Sequence, residues 1–132
     1  MTTGRRDYTW GFLNEAAGEG RFRESFSKYF AVGIGTFIVS DAYTYTVPIG
    51  KRLGLCKVHC STENGAYNEI SVLKNAEIVM VAMFTCYQVF GFTEINPLYF
   101  VAGETLLVRI QNRDEVTSNF YGGVNGVLES VI

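Results

Sequence analysis

Residues 68–84 read NEISVLKNAEIVMVAMF, and this stretch decides the fold class. In its first half, Ile70 and Val72 alternate with polar side chains, which is the period-2 pattern of a strand with one buried face. An Asn-Ala pair at positions 75–76 makes a tight connection. Residues 77–84 are apolar on both faces, and their length and β-branched side chains favour a strand over a buried helix. The stretch therefore predicts two strands joined by a short turn.

The second of these strands is more apolar than a strand with one solvent-facing side needs to be. A strand that is apolar on both faces is expected to be buried on both faces. We therefore expect it either deep inside a sandwich or in an interface between subunits. The predicted interface residues are Ile78, Met80, Val81, Met83 and Phe84.

Similar patterns recur along the chain. Residues 105–111 alternate, with Leu106, Val108 and Ile110 predicted to face the core and Arg109 to face solvent. The predicted strands are 25–32, 36–39, 43–47, 52–61, 69–74, 77–84, 105–111 and 127–132. Turns are predicted at 41–42, 48–50, 63–65, 102–104 and 125–126, and loops over 88–99 and 112–119.

About eight short strands at roughly ten-residue spacing, with no convincing helix, predict an all-β sandwich or barrel. A jelly-roll-like β-sandwich with an extended N-terminal arm is the preferred version, because it is the common eight-strand solution with two sheets. A self-contained up-and-down barrel is the alternative. The chain has 132 residues, which is enough for one domain, and we assign residues 25–132 to a single β-sandwich domain.

Residues 1–24 differ from the rest in holding four glycines, mixed charges and a cluster of aromatic side chains. We expect an extended arm, because a single helical turn there cannot support itself. We expect the arm to pack on this chain's own sandwich or on a neighbouring subunit or capsid surface, and a disordered arm is the third alternative. Aromatic anchors beside arginines have the composition of interface hot spots. The predicted partner-docking residues are Arg5, Arg6, Tyr8, Trp10 and Phe12.

Composition argues against several classes of function. Charged residues are only 18% and aromatic residues 14%, which favours a chain that buries surface on more than one side. The net charge of −2 and the lack of a basic run argue against a nucleic-acid partner. The longest uncharged apolar stretch, 78–92, is shorter than the roughly 18 residues of a membrane helix. The N-terminus lacks the apolar region of a secretory signal.

Catalytic and metal-binding residues are not predicted, and no cofactor is expected. His59 is the only histidine, and a histidine-dependent mechanism needs a nucleophile or carboxylate beside it. Its strand face is predicted to hold Lys57 and Ser61. Three cysteines are an odd number, and we expect buried thiols in a reducing cytosol. Cys86 is the only one able to pair with either of the other two, at positions 56 and 60, and both pairings stay open.

Three segments together resemble one class of protein: YTYTVPIGKRL at 43–53, FVAGETLLVRI at 100–110 and GGVNGVLE at 122–129. They are similar to turn-and-strand segments of small β-sandwich proteins of tailed phages and related viruses. These proteins are capsid decoration, head-fibre or tail-fibre modules, and they are frequently trimeric. The resemblance covers residues 40–132 and carries no catalytic residues.

The resemblance implies a virion protein made in the host cytoplasm, with itself and the major capsid protein as partners. We therefore expect a capsid decoration protein that forms a homo-oligomer, with a trimer preferred. The alternative is a receptor- or carbohydrate-binding head module, because tyrosines suit stacking on sugars. The position of the aromatic rings discriminates between them. Exposed rings in one groove favour sugar, whereas rings buried in a flat interface favour assembly.

Overall fold

The computed structural model describes residues 23–92 and 97–131. All of the regular structure in these two ranges is β, which confirms the prediction of an all-β chain. Its nine strands are β1 (Arg23–Ile34), β2 (Val39–Thr46), β3 (Lys51–Thr62), β4 (Asn68–Lys74), β5 (Glu77–Phe84), β6 (Tyr87–Gly91), β7 (Leu98–Val101), β8 (Thr105–Gln111) and β9 (Ser118–Ser130).

The strands form two antiparallel sheets that pack as a β-sandwich. In the first sheet the order is β1-β9-β3-β6, and β7 pairs with β3 on the same edge as β6. In the second sheet the order is β2-β8-β4-β5. Each sheet therefore combines strands that are far apart in sequence, and every strand pair is antiparallel.

Side chains that alternate along the strands fill the space between the sheets. In β8, Leu106, Val108 and Ile110 are fully buried, as predicted. The largest fully buried side chains are those of Phe100 and Phe120, which come from the first sheet. Burying a side chain of this kind contributes about 1.5–3 kcal/mol relative to leaving it exposed. One continuous core joins both sheets.

The last strand departs from the sequence prediction. A turn was predicted at 125–126, but β9 continues without interruption from Ser118 to Ser130. The glycines of β9 are required because the neighbouring strand leaves no room for a Cβ atom, and not because the chain turns there. A Cβ atom on Gly122 would overlap the carbonyl oxygen of His59, and one on Gly126 would overlap the carbonyl oxygen of Gly54. The neighbouring strand β3 thus lies too close to β9 for any larger residue at these positions.

Three further predictions were wrong. The strand predicted at 36–39 is the connection between β1 and β2, and only its last residue, Val39, belongs to a strand. The turn predicted at 41–42 is a β-bulge, since the pairing of β2 with β8 shifts between Asp41 and Tyr43 while the strand continues. The loop predicted over 88–99 contains most of β6 and the start of β7. Gly91 and Pro97 led to the loop prediction, because both residue types often mark loops. Both are nevertheless tolerated at the edge of a sheet, where these strands lie.

The predicted connections at 48–50, 75–76 and 102–104 are confirmed as turns. Gly50 and Gly103 have φ values of 84° and 89°, a region that favours glycine. The turn between β4 and β5 has positive φ at both central residues, 52° at Asn75 and 69° at Ala76. This is the geometry of a two-residue hairpin turn, and it normally takes glycine in the second place.

A cluster of three buried asparagines closes one end of the sandwich. The Asn64 Nδ2 atom donates to the Oδ1 atom of Asn112 at 3.2 Å, and Asn68 Nδ2 donates to Asn64 Oδ1 at 2.8 Å. Asn112 Nδ2 donates in turn to the carbonyl oxygens of Ile34 and Val116, at 2.8 and 2.9 Å. The cluster therefore ties the loops that follow β3 and β8 to the end of β1.

None of the three cysteines forms a disulfide, so neither pairing of Cys86 is present. Cys60 is buried and Cys56 partly buried, in line with the prediction of buried thiols. The prediction is wrong for Cys86, which is exposed in the turn between β5 and β6.

Candidate functional site

The strand predicted to be buried on both faces is instead the outermost strand of the second sheet. Among the described residues, β4 is the only strand that pairs with β5. Ile78 is 60% exposed, and Val81 and Met83 are 51% and 44% exposed. A position deep in the sandwich is thereby contradicted. We call the four exposed apolar residues of this strand the β5 edge: Ile78, Val79, Val81 and Met83.

The other two predicted interface residues belong to the core. Phe84 is buried, and Met80 packs against the core from a partly buried position. The alternation expected of a strand is therefore present, but its outward side is as apolar as its inward side. Alternation alone does not distinguish an outward apolar side chain on an edge strand from one covered by a further layer.

The apolar character of the β5 edge continues onto the outer face of the second sheet. Leu73 of β4 is only 2% exposed but is not part of the core cluster. It pairs with Ile78 of β5 and Leu107 of β8, which are its neighbours on the sheet. These two side chains flank Leu73 on either side, so the β5 edge and Leu73 form one apolar area.

The other outer strands are more polar or shorter than β5. Strand β1 carries Arg23, Glu24 and Lys28, and β2 carries Asp41, which forms an ion pair with Arg109 at 3.2 Å. Strands β6 and β7 have only five and four residues. Charged side chains and short length protect edge strands from pairing with other chains. The only charged residue of β5 lies at its first position, so this strand has the least protection among those described.

A second feature lies on the outer face of the first sheet, where three tyrosines project from different strands. Tyr29 of β1 is 79% exposed, Tyr87 of β6 is 55% exposed and Tyr121 of β9 is 46% exposed. Between them on β3 lie His59 and Ser61, which pair with Gly123 and Tyr121 of β9. We call this group of five side chains the tyrosine surface: Tyr29, His59, Ser61, Tyr87 and Tyr121.

Four members of the tyrosine surface line an open depression of about 450 Å³, and Tyr87 lies outside it. Among the described residues, the lining includes Tyr29, His59, Ser61 and Tyr121 and no charged side chain. The floor is low because β9 has glycines here. A Cβ atom on Gly123 would lie 2.9 Å from His59 Nε2 and 2.9 Å from a backbone oxygen of β1. Glycine therefore allows the imidazole ring to lie close to the sheet.

His59 lies on the strand face predicted for it, with Lys57 and Ser61 on the same side of β3. Burial away from water, and to a smaller extent the charge of Lys57, lowers the pKa of His59 from its usual 6.5. The imidazole is thus neutral near pH 7, and a neutral imidazole offers one N–H donor and one acceptor nitrogen. The Ser61 hydroxyl donates a long hydrogen bond, 3.5 Å, to the carbonyl oxygen of Tyr121.

Apart from Lys57, which lies two residues from His59 on the same face, a charged pair of this sheet face lies at the far end of the strands. Arg52 of β3 binds Glu129 of β9 at 3.2 Å, and its guanidinium lies over the ring of Tyr99 at 4.3 Å from the centroid. These residues pair at the end of β3 opposite to His59 and Ser61. The Arg52–Glu129 ion pair and the tyrosine surface therefore lie toward opposite ends of β3, with Lys57 between them.

A second depression, of about 440 Å³, lies between the loops beside the asparagine cluster. Its lining holds Glu63 and Asp114 and no aromatic side chain. It differs in this respect from the tyrosine surface, although the two depressions are similar in volume.

The sequence analysis did not single out Tyr29, Tyr87 or Tyr121. Tyr121 directly follows Phe120, which is buried, so an alternating strand pattern would place Tyr121 on the outer face. The turn predicted at 125–126 interrupted that strand pattern. Tyr87 belongs to β6, in a region predicted to be mainly loop.

The predicted docking residues of the arm lie outside the described residues: Arg5, Arg6, Tyr8, Trp10 and Phe12. Within residues 23–92 and 97–131, no group of three histidine, cysteine or acidic side chains is placed to hold a metal ion. Over the same ranges, there is no helix with the length and apolar character needed to span a membrane. No family model matches the chain, and no curated protein is significantly similar to it.

Proposed function

We propose that this chain is a structural subunit of a virus particle, a capsid decoration protein with a jelly-roll fold that assembles with copies of itself. The exposed apolar β5 edge carries the assembly part of the proposal. The strand pairing supports the jelly roll, and the resemblance of residues 40–132 to phage β-sandwich modules supports the setting in a virion. This role needs no catalytic residue and no cofactor.

The jelly-roll proposal rests on which strands pair. A jelly roll is a double-sheet fold of eight strands with two Greek keys, and it arises when one long antiparallel hairpin is wrapped into a sandwich. In such a hairpin the first strand pairs with the last, the second with the last but one, and so on inward. If β6 and β7 are counted as one interrupted strand, the pairs here are β1–β9, β2–β8, β3–β6/β7 and β4–β5.

The β5 edge has the properties of a contact between subunits. An exposed, apolar edge strand offers unpaired backbone groups together with apolar side chains to another chain. Four half-exposed side chains on each of two copies contribute roughly 8 kcal/mol when covered, since complete burial of one is worth about 1.5–3 kcal/mol. Association costs about 4–15 kcal/mol. Backbone hydrogen bonds between the paired edges add about 0.5–1.5 kcal/mol each, so the contact depends on these bonds as well as on the apolar side chains.

A second copy of this chain is the occupant that these observations favour. Strand β5 is charged only at Glu77, outside the β5 edge, so this edge does not select an oppositely charged partner. Two identical apolar edges complement each other, as required at an isologous contact. The resemblance implies a trimer, whereas pairing of two β5 edges alone makes a dimer, and light scattering discriminates between these oligomers.

Size-exclusion chromatography with light scattering tests the assembly. We expect an oligomer at about 100 µM, a concentration at which a contact with a micromolar Kd is largely formed. Val81→Lys places a charge in the centre of the β5 edge and should give a folded monomer. Ile49→Lys is the matched control, because Ile49 is 95% exposed in the turn between β2 and β3, away from β5. A wild-type chain that stays monomeric at this concentration refutes the assembly.

Co-sedimentation with capsid shells of the virus that encodes the chain tests the decoration role. We expect the wild-type chain to sediment with shells built from the major capsid protein. Trp10→Ala removes an aromatic anchor of the predicted arm and should weaken binding without altering the oligomer. A wild-type oligomer that does not bind shells contradicts the decoration role. Undiminished binding of the variant contradicts only the docking role of the arm.

A further inference from the structure

The tyrosine surface lies on the first sheet, whereas the β5 edge belongs to the second. The proposed assembly through the β5 edge therefore leaves the tyrosine surface uncovered. Single exposed aromatic side chains are common and need no explanation. Here, however, Tyr29 and Tyr121 lie on adjacent strands of one sheet face and border the same depression.

We propose that the tyrosine surface is a binding site for an uncharged oligosaccharide. The rings of Tyr29 and Tyr121 stack on the apolar C–H faces of pyranose rings. His59 and Ser61 form hydrogen bonds with sugar hydroxyl groups from the floor of the depression.

The composition of the lining selects this class of ligand. Tyrosine presents an apolar ring with a polar tip, which suits a ligand that is itself apolar on one face and polar at its rim. A purely apolar ligand would cover His59 and Ser61 without satisfying their polar atoms, and leaving buried polar groups unpaired is costly. A charged ligand would find no charged partner among the described residues of the lining. A neutral, hydroxyl-rich ligand can form hydrogen bonds with these polar atoms and does not need a charged partner.

The dimensions of the site point to more than one sugar ring. The depression of about 450 Å³ lies within the range of about 300–1,000 Å³ that is usual for small-molecule sites. Tyr87 extends the surface beyond the depression, since β6 lies two strands from β9. Two inter-strand spacings of about 4.8 Å separate these strands by about 10 Å. A ligand that contacts both Tyr121 and Tyr87 must therefore run across the strands.

Glycines in β9 keep the site open. Gly123 pairs with both Tyr29 and His59, so it lies between an aromatic wall and the polar floor. A side chain at this position would collide with His59 Nε2 and displace the imidazole ring. The same glycine-rich segment that brings β3 close to β9 thus also makes the outer face concave.

A glycan array probed with the labelled full-length chain tests for binding, followed by NMR titration with a bound neutral oligosaccharide. The chain has one histidine, so His59 gives a single set of imidazole signals at the floor of the site. We expect these signals to shift on titration. Tyr29→Ala and Tyr121→Ala should each weaken binding about tenfold. Tyr67→Ala is the matched control, because Tyr67 is 68% exposed but does not line the depression.

The proposal is overturned if no neutral glycan binds, or if binding persists unchanged when both tyrosines are replaced in a chain that circular dichroism shows to be folded. It is also overturned if replacing them dissociates the oligomer, because the tyrosine surface is then an interface between copies. Sugar binding that is lost in Tyr29→Ala while the oligomer persists supports the proposal. The Val81→Lys monomer should still bind sugar, so this site and the assembly fail independently.

Discussion

Replacement of Asn112 by alanine should destabilise the sandwich more than any change to an exposed polar residue. The Asn112 side chain is completely buried and forms four hydrogen bonds. Its Nδ2 atom donates to Ile34 and Val116, and its Oδ1 atom accepts from Asn64 Nδ2 at 3.2 Å and from the Asp114 amide at 2.9 Å. Each bond contributes about 0.5–1.5 kcal/mol, and unpaired buried partners add to the loss. We therefore expect a loss of about 4 kcal/mol.

Urea denaturation followed by circular dichroism measures this loss. At an m-value of about 2 kcal/mol/M, the midpoint should fall by roughly 2 M while the slope stays unchanged. Asn125→Ala is the control, because Asn125 forms an exposed hydrogen bond to Ser27 at 2.9 Å, and it should cost less than about 0.5 kcal/mol. A loss below about 1 kcal/mol for Asn112→Ala would mean that water replaces its partners and that the cluster does not close the sandwich.

Three further outcomes are expected from single positions. Ala76→Gly should stabilise the chain by about 1 kcal/mol, because a φ of 69° strains alanine but not glycine. An unchanged urea midpoint for this variant would contradict the expectation. A thiol reagent should label Cys86 in the native chain and Cys60 only on unfolding, because burial raises the pKa of Cys60 to about 12. Mass spectrometry of the labelled peptides measures the order of labelling. The pKa of His59 is lower in the folded chain than in the unfolded chain, so the unfolded chain binds more protons. The contribution of His59 to stability is therefore present above pH 6.5 and is lost as the pH falls through the folded pKa. NMR titration of the imidazole should give a midpoint below 6.5.

Local patterns were sufficient to predict strands with one buried and one exposed side. The alternation of β8 correctly assigned Leu106, Val108 and Ile110 to the core. The turn at 102–104 was equally clear, because the positive φ of Gly103 favours glycine. In these places the local preference of the chain and the demands of the fold agree.

The remaining features depend on distant contacts. The glycines of β9 indicate a turn when only their neighbours in sequence are considered, but Gly122 is required by the approach of His59 on another strand. Likewise, the two-sided apolar pattern of β5 predicted a strand correctly but did not reveal that Ile78 lies at an edge. The tyrosine surface escaped prediction for the same reason, since Tyr29 and Tyr121 meet only after β1 has paired with β9.

The pairing of β1 with β9 has a consequence for how the chain folds during synthesis. Strand β9 lies between β1 and β3, so neither can complete its hydrogen bonds before β9 emerges from the ribosome. About 84 residues separate Ile34 from Ser118, its partner in the pair. At roughly 5–20 residues per second, β1 waits about 4–17 s after its own synthesis. During that interval β1 and β3 are exposed to wrong partners, so aggregation of nascent chains should depend on translation speed and on chaperones.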